Sequence, residues 1–216
     1  METMSYFNFL EIAYKSWFHM FFRNHTDKMA LRRLFPICLF ILLMADFGVS
    51  AILKVNNGGP WGDWNYITRC PRGSYAYGFS LKVERKQGNG DDTALNGIKL
   101  FCKDPSNPHN STSVKSEQIW GEWTSGNYCP SGRLDSFQLR VERDQGNGDD
   151  TAANNIRFGC TDGSIIEGYG LDWGDWGYWS GKCSTGICSM MTRLEAQLDN
   201  GDDTALNDVQ MFCCPY

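Results

Sequence analysis

The sequence contains the acidic hexapeptide NGDDTA three times, at residues 89–94, 147–152 and 200–205. Each copy places two aspartates side by side, and paired carboxylates serve enzymes that cleave or transfer sugars. Such enzymes need carboxyl groups on opposite sides of the sugar, one of them kept protonated by a raised pKa. Adjacent aspartates meet a substrate from one side, and three equivalent copies lack the asymmetry that acid and base roles require. The sequence therefore identifies no catalytic residue.

The hexapeptide is more typical of a tight turn, because Asn and Asp side chains accept hydrogen bonds from nearby backbone amides and glycine adopts positive φ. Calcium ligation is an alternative, but calcium takes at least about six oxygen ligands and the motif lacks the spacing of a calcium loop. We therefore predict neither a metal site nor a cofactor. The first aspartate of each copy remains a candidate for binding sugar hydroxyls: Asp91, Asp149 and Asp202.

A second repeated motif, Trp-Gly-Asp/Glu-Trp, occupies residues 61–64, 120–123 and 173–176. Tryptophan offers a sugar ring a large apolar face and one hydrogen-bond donor. Aromatic residues are densest at the third copy, where Tyr178 and Trp179 follow the motif. The predicted carbohydrate contacts are Trp173, Asp175, Trp176 and Trp179.

Packing competes with binding as the role of the motif tryptophans. Trp64, Trp123 and Trp176 each lie six or seven residues before a cysteine that recurs with the repeat. For these three residues, packing in the core or at one end of it is the favoured interpretation, and sugar stacking is the alternative.

The sequence gives little support for a catalytic triad, a histidine metal site or a nucleic-acid interface. After residue 51 the sequence has one histidine, His109, so neither a Ser/His/Asp triad nor a histidine-rich metal site is expected. The net charge is -5 and the basic residues are spread along the chain, which argues against a nucleic-acid partner.

The hexapeptides lie inside a longer repeat with the period of β structure. Residues 79–102 and 137–160 are identical at 16 of 24 positions without a gap, and residues 190–213 form a more divergent third copy. Apolar residues alternate with polar ones before and after each hexapeptide, as in half-buried strands. We predict an all-β fold in which the three copies bury their apolar faces against one another. The equivalent glutamates Glu84, Glu142 and Glu195 are predicted to lie on the solvated face.

The N-terminus is typical of an export signal. Residues 29–51 combine a basic start at Arg32 and Arg33 with an apolar stretch of eleven residues, 34–44, which is too short to span a bilayer. We predict a secreted protein without a membrane partner, cleaved between residues 45 and 51. Residues 1–28 are interpreted as an upstream extension outside the fold, and an N-terminal anchor is the alternative.

The cysteines agree with export. Of nine cysteines, Cys38 lies in the predicted signal, which leaves eight, an even number suited to four disulfides in an oxidising compartment. The repeat pairs six of them as Cys70–Cys102, Cys129–Cys160 and Cys183–Cys213. Cys188 and Cys214 remain as a fourth pair, although Cys213 and Cys214 could exchange partners. Asn110 begins a glycosylation sequon in a polar stretch that suggests a surface loop.

Together the repeated motifs resemble those of the vitelline membrane outer layer protein 1 family. The resemblance rests on three WG[DE]W segments, three DDTA segments, the opening NNGGPWGDW and the C-terminal FCC. It implies a β-prism of three Greek-key sheets with internal pseudo-threefold symmetry, held by four disulfides. The prism would cover residues 52–216, with repeats at about 52–104, 113–162 and 163–216.

The same resemblance implies a function. It suggests a secreted structural or binding protein that associates with extracellular glycans or egg-coat glycoproteins and with lysozyme. The alternative that it implies is a transferase that lengthens N-acetylchitooligosaccharides through carboxylates.

Overall fold

A computed structural model describes residues 51–85, 94–142, 152–196 and 205–215, apart from the side chain of Pro108. All of them belong to one compact unit, Val49–Tyr216. The predicted extension (1–28) and the predicted signal up to residue 50 lie outside the described residues.

Fourteen strands form in the described residues. In chain order they are β1 (Ile52–Leu53), β2 (Asp63–Trp64), β3 (Thr68–Arg69), β4 (Tyr75–Val83), β5 (Leu95–Asp104), β6 (Asn107–Glu117), β7 (Glu122–Trp123), β8 (Asn127–Tyr128), β9 (Leu134–Val141), β10 (Ala153–Cys160), β11 (Ile165–Glu167), β12 (Asp175–Trp176), β13 (Ile187–Leu194) and β14 (Leu206–Cys213). No helix occurs in these ranges, and so none that could span a bilayer.

The strands form three antiparallel sheets, each built on one long hairpin. Sheet I has the order β6-β5-β4-β7, with β8 also paired to β4; sheet II has the order β11-β10-β9-β12. Sheet III has the order β1-β14-β13-β2, with β3 also paired to β13. The fold is the predicted all-β prism of three Greek-key sheets with pseudo-threefold symmetry.

The short tryptophan strands interlock the three copies. In sequence, the strands β7 and β12 precede the second and third hairpins, yet each pairs with the hairpin before it. The equivalent N-terminal strand β2 pairs with β13 of the last hairpin. Each sheet is therefore completed by the next segment along the chain, and the two ends of the described chain meet in sheet III.

The core occupies the space between the three sheets. The apolar residues predicted to alternate inward are buried on both strands of every hairpin, including Phe79, Leu81, Phe137, Ile156 and Phe158. The Phe158 ring centroid lies 4.7 Å from that of Phe79 and 6.2 Å from that of Phe137, so aromatic packing joins sheets I and II. The predicted inward positions are confirmed.

Polar contacts fix the seams between sheets. Between sheets I and III, the Ser116 hydroxyl hydrogen-bonds the Thr192 hydroxyl at 2.6 Å. Between sheets I and II, the Asn127 amide donates to the Glu167 carbonyl at 3.0 Å. At the third seam, Asn57, which follows β1 of sheet III, donates to the Leu139 carbonyl of sheet II at 2.9 Å.

The three hairpins share one backbone geometry at the end where each meets its connecting segment. Ala94, Ala152 and Ala205 adopt positive φ of 50°, 42° and 46°. The carbonyl of each alanine accepts a 2.8 Å hydrogen bond from the backbone amide of the matching glutamate, which closes the base of the hairpin. The aspartates of the three hexapeptides, Asp91, Asp149 and Asp202 among them, lie outside the described residues.

This closure corrects one prediction about the glutamates. Glu84 is buried, with 7% of its surface exposed, and Glu142 and Glu195 are half-buried rather than solvated. The alternation predicted from sequence ends at the last strand residue, and the backbone amide of the next residue bonds to the alanine carbonyl instead of continuing the strand.

Three disulfides form at the end of the sheets opposite the hairpin connections, which we call the disulfide end. They are the predicted pairs Cys70–Cys102, Cys129–Cys160 and Cys183–Cys213. Each joins the segment before a long hairpin to the hairpin's last strand. A covalent link at this position ties the chain to each long hairpin at the end away from its own connection.

The fourth predicted pair is not bonded in the structure. Cys188 is the extra residue of a β-bulge between Ile187 and Ser189, which displaces it from the ladder with β14. Its thiol nevertheless hydrogen-bonds to Cys214. Formation of Cys188–Cys214 stays a prediction, and a count of free thiols in the exported protein would decide it.

The glycosylation sequon lies on a strand rather than in the predicted loop. Asn110 is exposed on β6, the edge strand of sheet I. A glycan there would shield an open edge from pairing with another chain. Use of the sequon stays a prediction.

Candidate sugar-binding cleft

The glycine of each Trp-Gly-Asp/Glu-Trp motif positions the motif against its sheet. Gly62, Gly121 and Gly174 have φ of 74°, 78° and 71°. A Cβ at any of them would overlap the backbone at the end of the neighbouring long strand, at Val141 in the case of Gly174. Because the backbones approach so closely, the next two residues can extend the sheet as β2, β7 or β12.

Edge position keeps the tryptophans out of the core. No described tryptophan belongs to the buried core; Trp61 is 53% exposed and Trp176 is half-buried. The prediction that Trp64, Trp123 and Trp176 pack in the core is therefore wrong, whereas packing at one end of the core stays a prediction. Their strands lie at the margins of the sheets, and phenylalanine, leucine and isoleucine side chains already fill the interior.

Cations lie against three of the described tryptophan rings, those of Trp123, Trp176 and Trp179. In sheet II the Arg157 guanidinium lies 4.5 Å from the Trp176 ring centroid and 5.7 Å from that of Trp179. Gln138 accepts a 2.6 Å hydrogen bond from Arg157, and the Glu167 carboxylate lies 3.8 Å from it. In sheet I the Lys99 ammonium lies 4.0 Å from the Trp123 ring. These cation–π contacts orient the rings at the sheet edges.

A cleft of about 570 Å³ opens beside Trp176. Its lining residues are Asn56, Asn57, Val141, Asp175, Trp176, Gly177 and Tyr178. Asp175 is exposed and Tyr178 is 80% exposed, so both can reach a ligand. The size falls within the range of small-ligand sites, and the lining combines one aromatic platform with a few polar groups.

Sheet I carries a smaller cleft at the equivalent position. It measures about 420 Å³ and is lined by Val83, Glu84, Arg85, Gly121, Glu122, Trp123 and Thr124. Glu122 and Trp123 match Asp175 and Trp176, so the clefts share one construction. The cleft of sheet II is larger and adds Tyr178 together with Asn57 from the N-terminal segment.

Two of the predicted sugar contacts lie together in the cleft. Asp175 and Trp176 line it, whereas Trp179 connects to it only through Arg157 and Trp173 is a half-buried residue outside its lining. Asp91, Asp149 and Asp202 cannot be placed, because they lie outside the described residues.

Sequence reasoning missed Arg157 and Asn57. Arg157 follows the outward alternation of β10, but its stacking partners come from β12 and the segment after it. Asn57 arrives from the other end of the chain and packs on Gly177. A pattern within one repeat cannot reveal a contact made by another. Within the described ranges, no group of three or more His, Cys, Asp or Glu side chains could hold a metal ion.

Comparisons with known proteins agree on the family. The family model described as Vitelline membrane outer layer protein I (VOMI) matches residues 51–216. The chain is 50% identical over 170 residues to the vitelline membrane outer layer protein 1 homolog of Homo sapiens, covering 77% of this chain and 84% of that protein. The Mus musculus homolog is 48% identical over 168 residues, with 76% and 84% covered.

A solved structure shares the fold. The Calsepa lectin, crystallised in complex with a biantennary N-glycan, matches with a TM-score of 0.50, covering 76% of this chain and 95% of that one. The sequence identity is 10%, so the likeness concerns the β-prism architecture alone.

Proposed function

The chain belongs to the vitelline membrane outer layer protein I family, and on that premise we propose that it is a secreted extracellular protein that binds glycans without transforming them. Its partners would be sugar chains of egg-coat or other secreted glycoproteins, with lysozyme as a further candidate. The observation that carries the proposal is the cleft at Trp176, where an oriented aromatic ring and exposed polar groups meet.

Each group in the cleft has a task that suits a sugar. The Trp176 ring can stack on the apolar face of a pyranose, and Arg157 restricts the ring's orientation before a ligand arrives. The Asp175 carboxylate can accept hydrogen bonds from adjacent hydroxyls. The Tyr178 hydroxyl can both donate and accept at the rim.

The carboxylates support binding more than catalysis. A general acid for glycosyl transfer needs a raised pKa close to the reacting bond. Among the described carboxyl groups, burial clearly raises the pKa of Asp208, to about 6. Asp208 packs against Gly58 on sheet III and does not line the Trp176 cleft. Among the described residues, the cleft thus has one carboxylate at its rim, Asp175, without the matched second group that transfer demands.

Replacing Trp176 tests the binding proposal. We expect Trp176→Ala to weaken glycan binding at least about tenfold, which corresponds to roughly 1.4 kcal/mol and is within the range of one aromatic contact. Trp123→Ala is the matched control, because it removes the equivalent ring from sheet I and leaves the larger cleft intact. A glycan array identifies a ligand, and titration of that ligand gives the dissociation constants.

Three results would contradict this assignment. The exported protein could bind no glycan on the array, both variants could weaken binding equally, or Trp176→Ala could bind as well as wild type. A thermal unfolding curve for each variant shows whether the folded state is intact before binding is compared.

The alternative function, lengthening of N-acetylchitooligosaccharides, rests on the family and on the raised pKa of Asp208. Mature protein purified free of lysozyme should then produce longer oligomers, and Asp208→Asn should abolish that product. Removal of lysozyme matters because lysozyme itself can transglycosylate. Absence of product above background would leave binding as the function.

A further inference from the structure

A third cleft, of about 500 Å³, opens at the disulfide end. Its lining residues are Arg69, Cys70, Pro71, Arg72, Gly73, Ser74, Tyr75, Pro105, Arg133, Thr185, Cys188, Ser189, Cys214 and Pro215. In the part of the chain that the structure describes, the lining contains three arginines and no carboxylate side chain, in a chain whose net charge is -5. Such a concentration of positive charge is unexpected on an acidic protein.

One of the arginines is held in place by its surroundings. The Arg133 guanidinium lies 4.9 Å from the Tyr75 ring centroid and donates a 3.0 Å hydrogen bond to the Thr185 carbonyl. Its stem packs on Gly186. Arg133 therefore presents its remaining donors without much further loss of side-chain entropy.

The other two arginines complete the cleft from exposed positions. Arg69 ends β3, and Arg72 lies in the turn that follows the first disulfide cysteine. Within the described residues, no carboxylate forms an ion pair with Arg69, Arg72 or Arg133. Their charges are thus available to a ligand.

The carboxylates near this cleft, those of Asp104 and Asp162, accept hydrogen bonds within their own turns. Asp104, beside Pro105, accepts hydrogen bonds from the hydroxyl and backbone amide of Ser106, and these bonds lower its pKa. Asp162 accepts the same pair of bonds from Ser164, and they likewise lower its pKa. Both carboxylates therefore stay ionised within closed turns, and neither forms an ion pair with the arginines.

Two of the arginines act on cysteine thiols in the lining of the cleft. The pKa of Cys188 is lowered first by its hydrogen bond with Cys214 and further by the charge of Arg69. Arg133 acts in the same direction on Cys214, although the hydrogen bond with Cys188 and burial raise that pKa overall. Arginines from two different parts of the fold, Arg69 on β3 and Arg133 before β9, thus act on neighbouring lining residues.

We propose that this arginine cleft binds an anionic substituent on a sugar chain, either a sulfate ester or a carboxylate. Arginine's planar fork of donors suits such oxyanions, and charge-assisted hydrogen bonds are the strong ones. The cleft lies at the opposite end of the sheets from the Trp176 cleft, so the two sites are independent. An acidic glycan could meet this end while a neutral sugar occupies the other.

Three sugars that share one scaffold test the proposal: lactose, 3′-sulfolactose and 3′-sialyllactose. We expect one or both of the acidic sugars to bind at least about tenfold more tightly than lactose, with an affinity that falls as salt rises. Arg72→Gln should weaken binding of the acidic sugar about tenfold, because it removes a donor of charge-assisted hydrogen bonds to the anion. The acidic sugar that binds more tightly than lactose, and that loses affinity in Arg72→Gln, identifies the anion.

Lys54→Gln is the control, because it removes one exposed positive charge that does not line the cleft. Equal losses in Arg72→Gln and Lys54→Gln would show only a general charge effect and overturn the site. So would equal affinities for the three sugars. Trp176→Ala should leave the preference for the acidic sugar unchanged, and its loss in that variant would place the anion in the other cleft and also overturn this proposal.

Discussion

Gly174→Ala is expected to destabilise the folded protein by about 3 kcal/mol, and it has an internal control. The new Cβ would sit at positive φ and would overlap the Val141 backbone, which cannot move without breaking the end of β9. The conformational cost is about 1–2 kcal/mol and the overpacking cost about 1–3 kcal/mol. Gly163→Ala shares the positive φ but meets nothing within 4 Å, so it should cost only about 1 kcal/mol.

Chemical unfolding of both variants, with the disulfides intact, measures the difference directly. Because both glycines lie in the part of the chain that forms sheet II, a difference of about 2 kcal/mol isolates the close backbone approach. Equal losses would mean that the motif glycine is needed for its φ alone. In that case the close approach to the Val141 backbone would not be what holds β12 in place.

This result bears on the meaning of the tryptophan motif. The glycine holds the motif to the sheet, whereas the tryptophans lie at the surface with cations against their rings. One short sequence thus combines a structural residue with residues open to a ligand. The glycine explains why the motif occurs three times: each sheet is completed by one short edge strand, and the glycine allows that strand to approach the sheet. Repetition alone therefore does not decide whether the tryptophans bind anything.

The fold could be predicted from the sequence to an unusual depth. Alternation marked the buried faces of the long strands, and the repeat matched three cysteine pairs, because both depend on local spacing. The interlocking of the sheets could not be read in this way. Trp176 completes the sheet of the preceding hairpin, and Asn57 reaches that sheet from the far end of the chain. Such pairings depend on how the copies pack, which spacing within one copy does not encode.

The site could be predicted only in part, for the same reason. Asp175 and Trp176 were found from their chemical types, whereas Arg157 became relevant only once β10 and β12 were placed in one sheet. No pattern in the sequence predicted the arginine cleft. Arg69 and Arg72 lie three residues apart, but Arg133 is distant from them in sequence and joins them only because separate segments of the chain converge at the disulfide end.

Asp208→Asn is expected to stabilise the protein near neutral pH. Asp208 lies on β14 and packs against Gly58, with Arg193 and Lys54 close enough to act on its charge. Burial raises its pKa from 3.8 to about 6, and the hydrogen bond from the Val209 amide and the two cations offset only part of this effect. The folded state therefore prefers the protonated acid.

The sign of the pH dependence follows from that preference. Between pH 4 and pH 6 the folded chain holds a proton that the unfolded chain has released, so stability falls as pH rises through this window. A rise of this pKa from 3.8 to about 6 corresponds to roughly 3 kcal/mol at most, and partial exposure of the carboxyl group reduces this to about 1–2 kcal/mol. The asparagine variant should match wild type at pH 4 and exceed it by that amount at pH 7.5.

The second sheet supplies the reciprocal variant. Asn155 occupies the position equivalent to Asp208, and its amide donates a 2.9 Å hydrogen bond to the Gly168 carbonyl. An ionised aspartate there cannot donate, so Asn155→Asp should destabilise the protein at pH 7.5 and partly recover as pH falls to 4. Unfolding free energies for both variants across this range measure the effect. If Asp208→Asn and wild type keep parallel pH profiles, burial does not hold the proton on Asp208, and the raised pKa that keeps the transferase alternative open is lost with it.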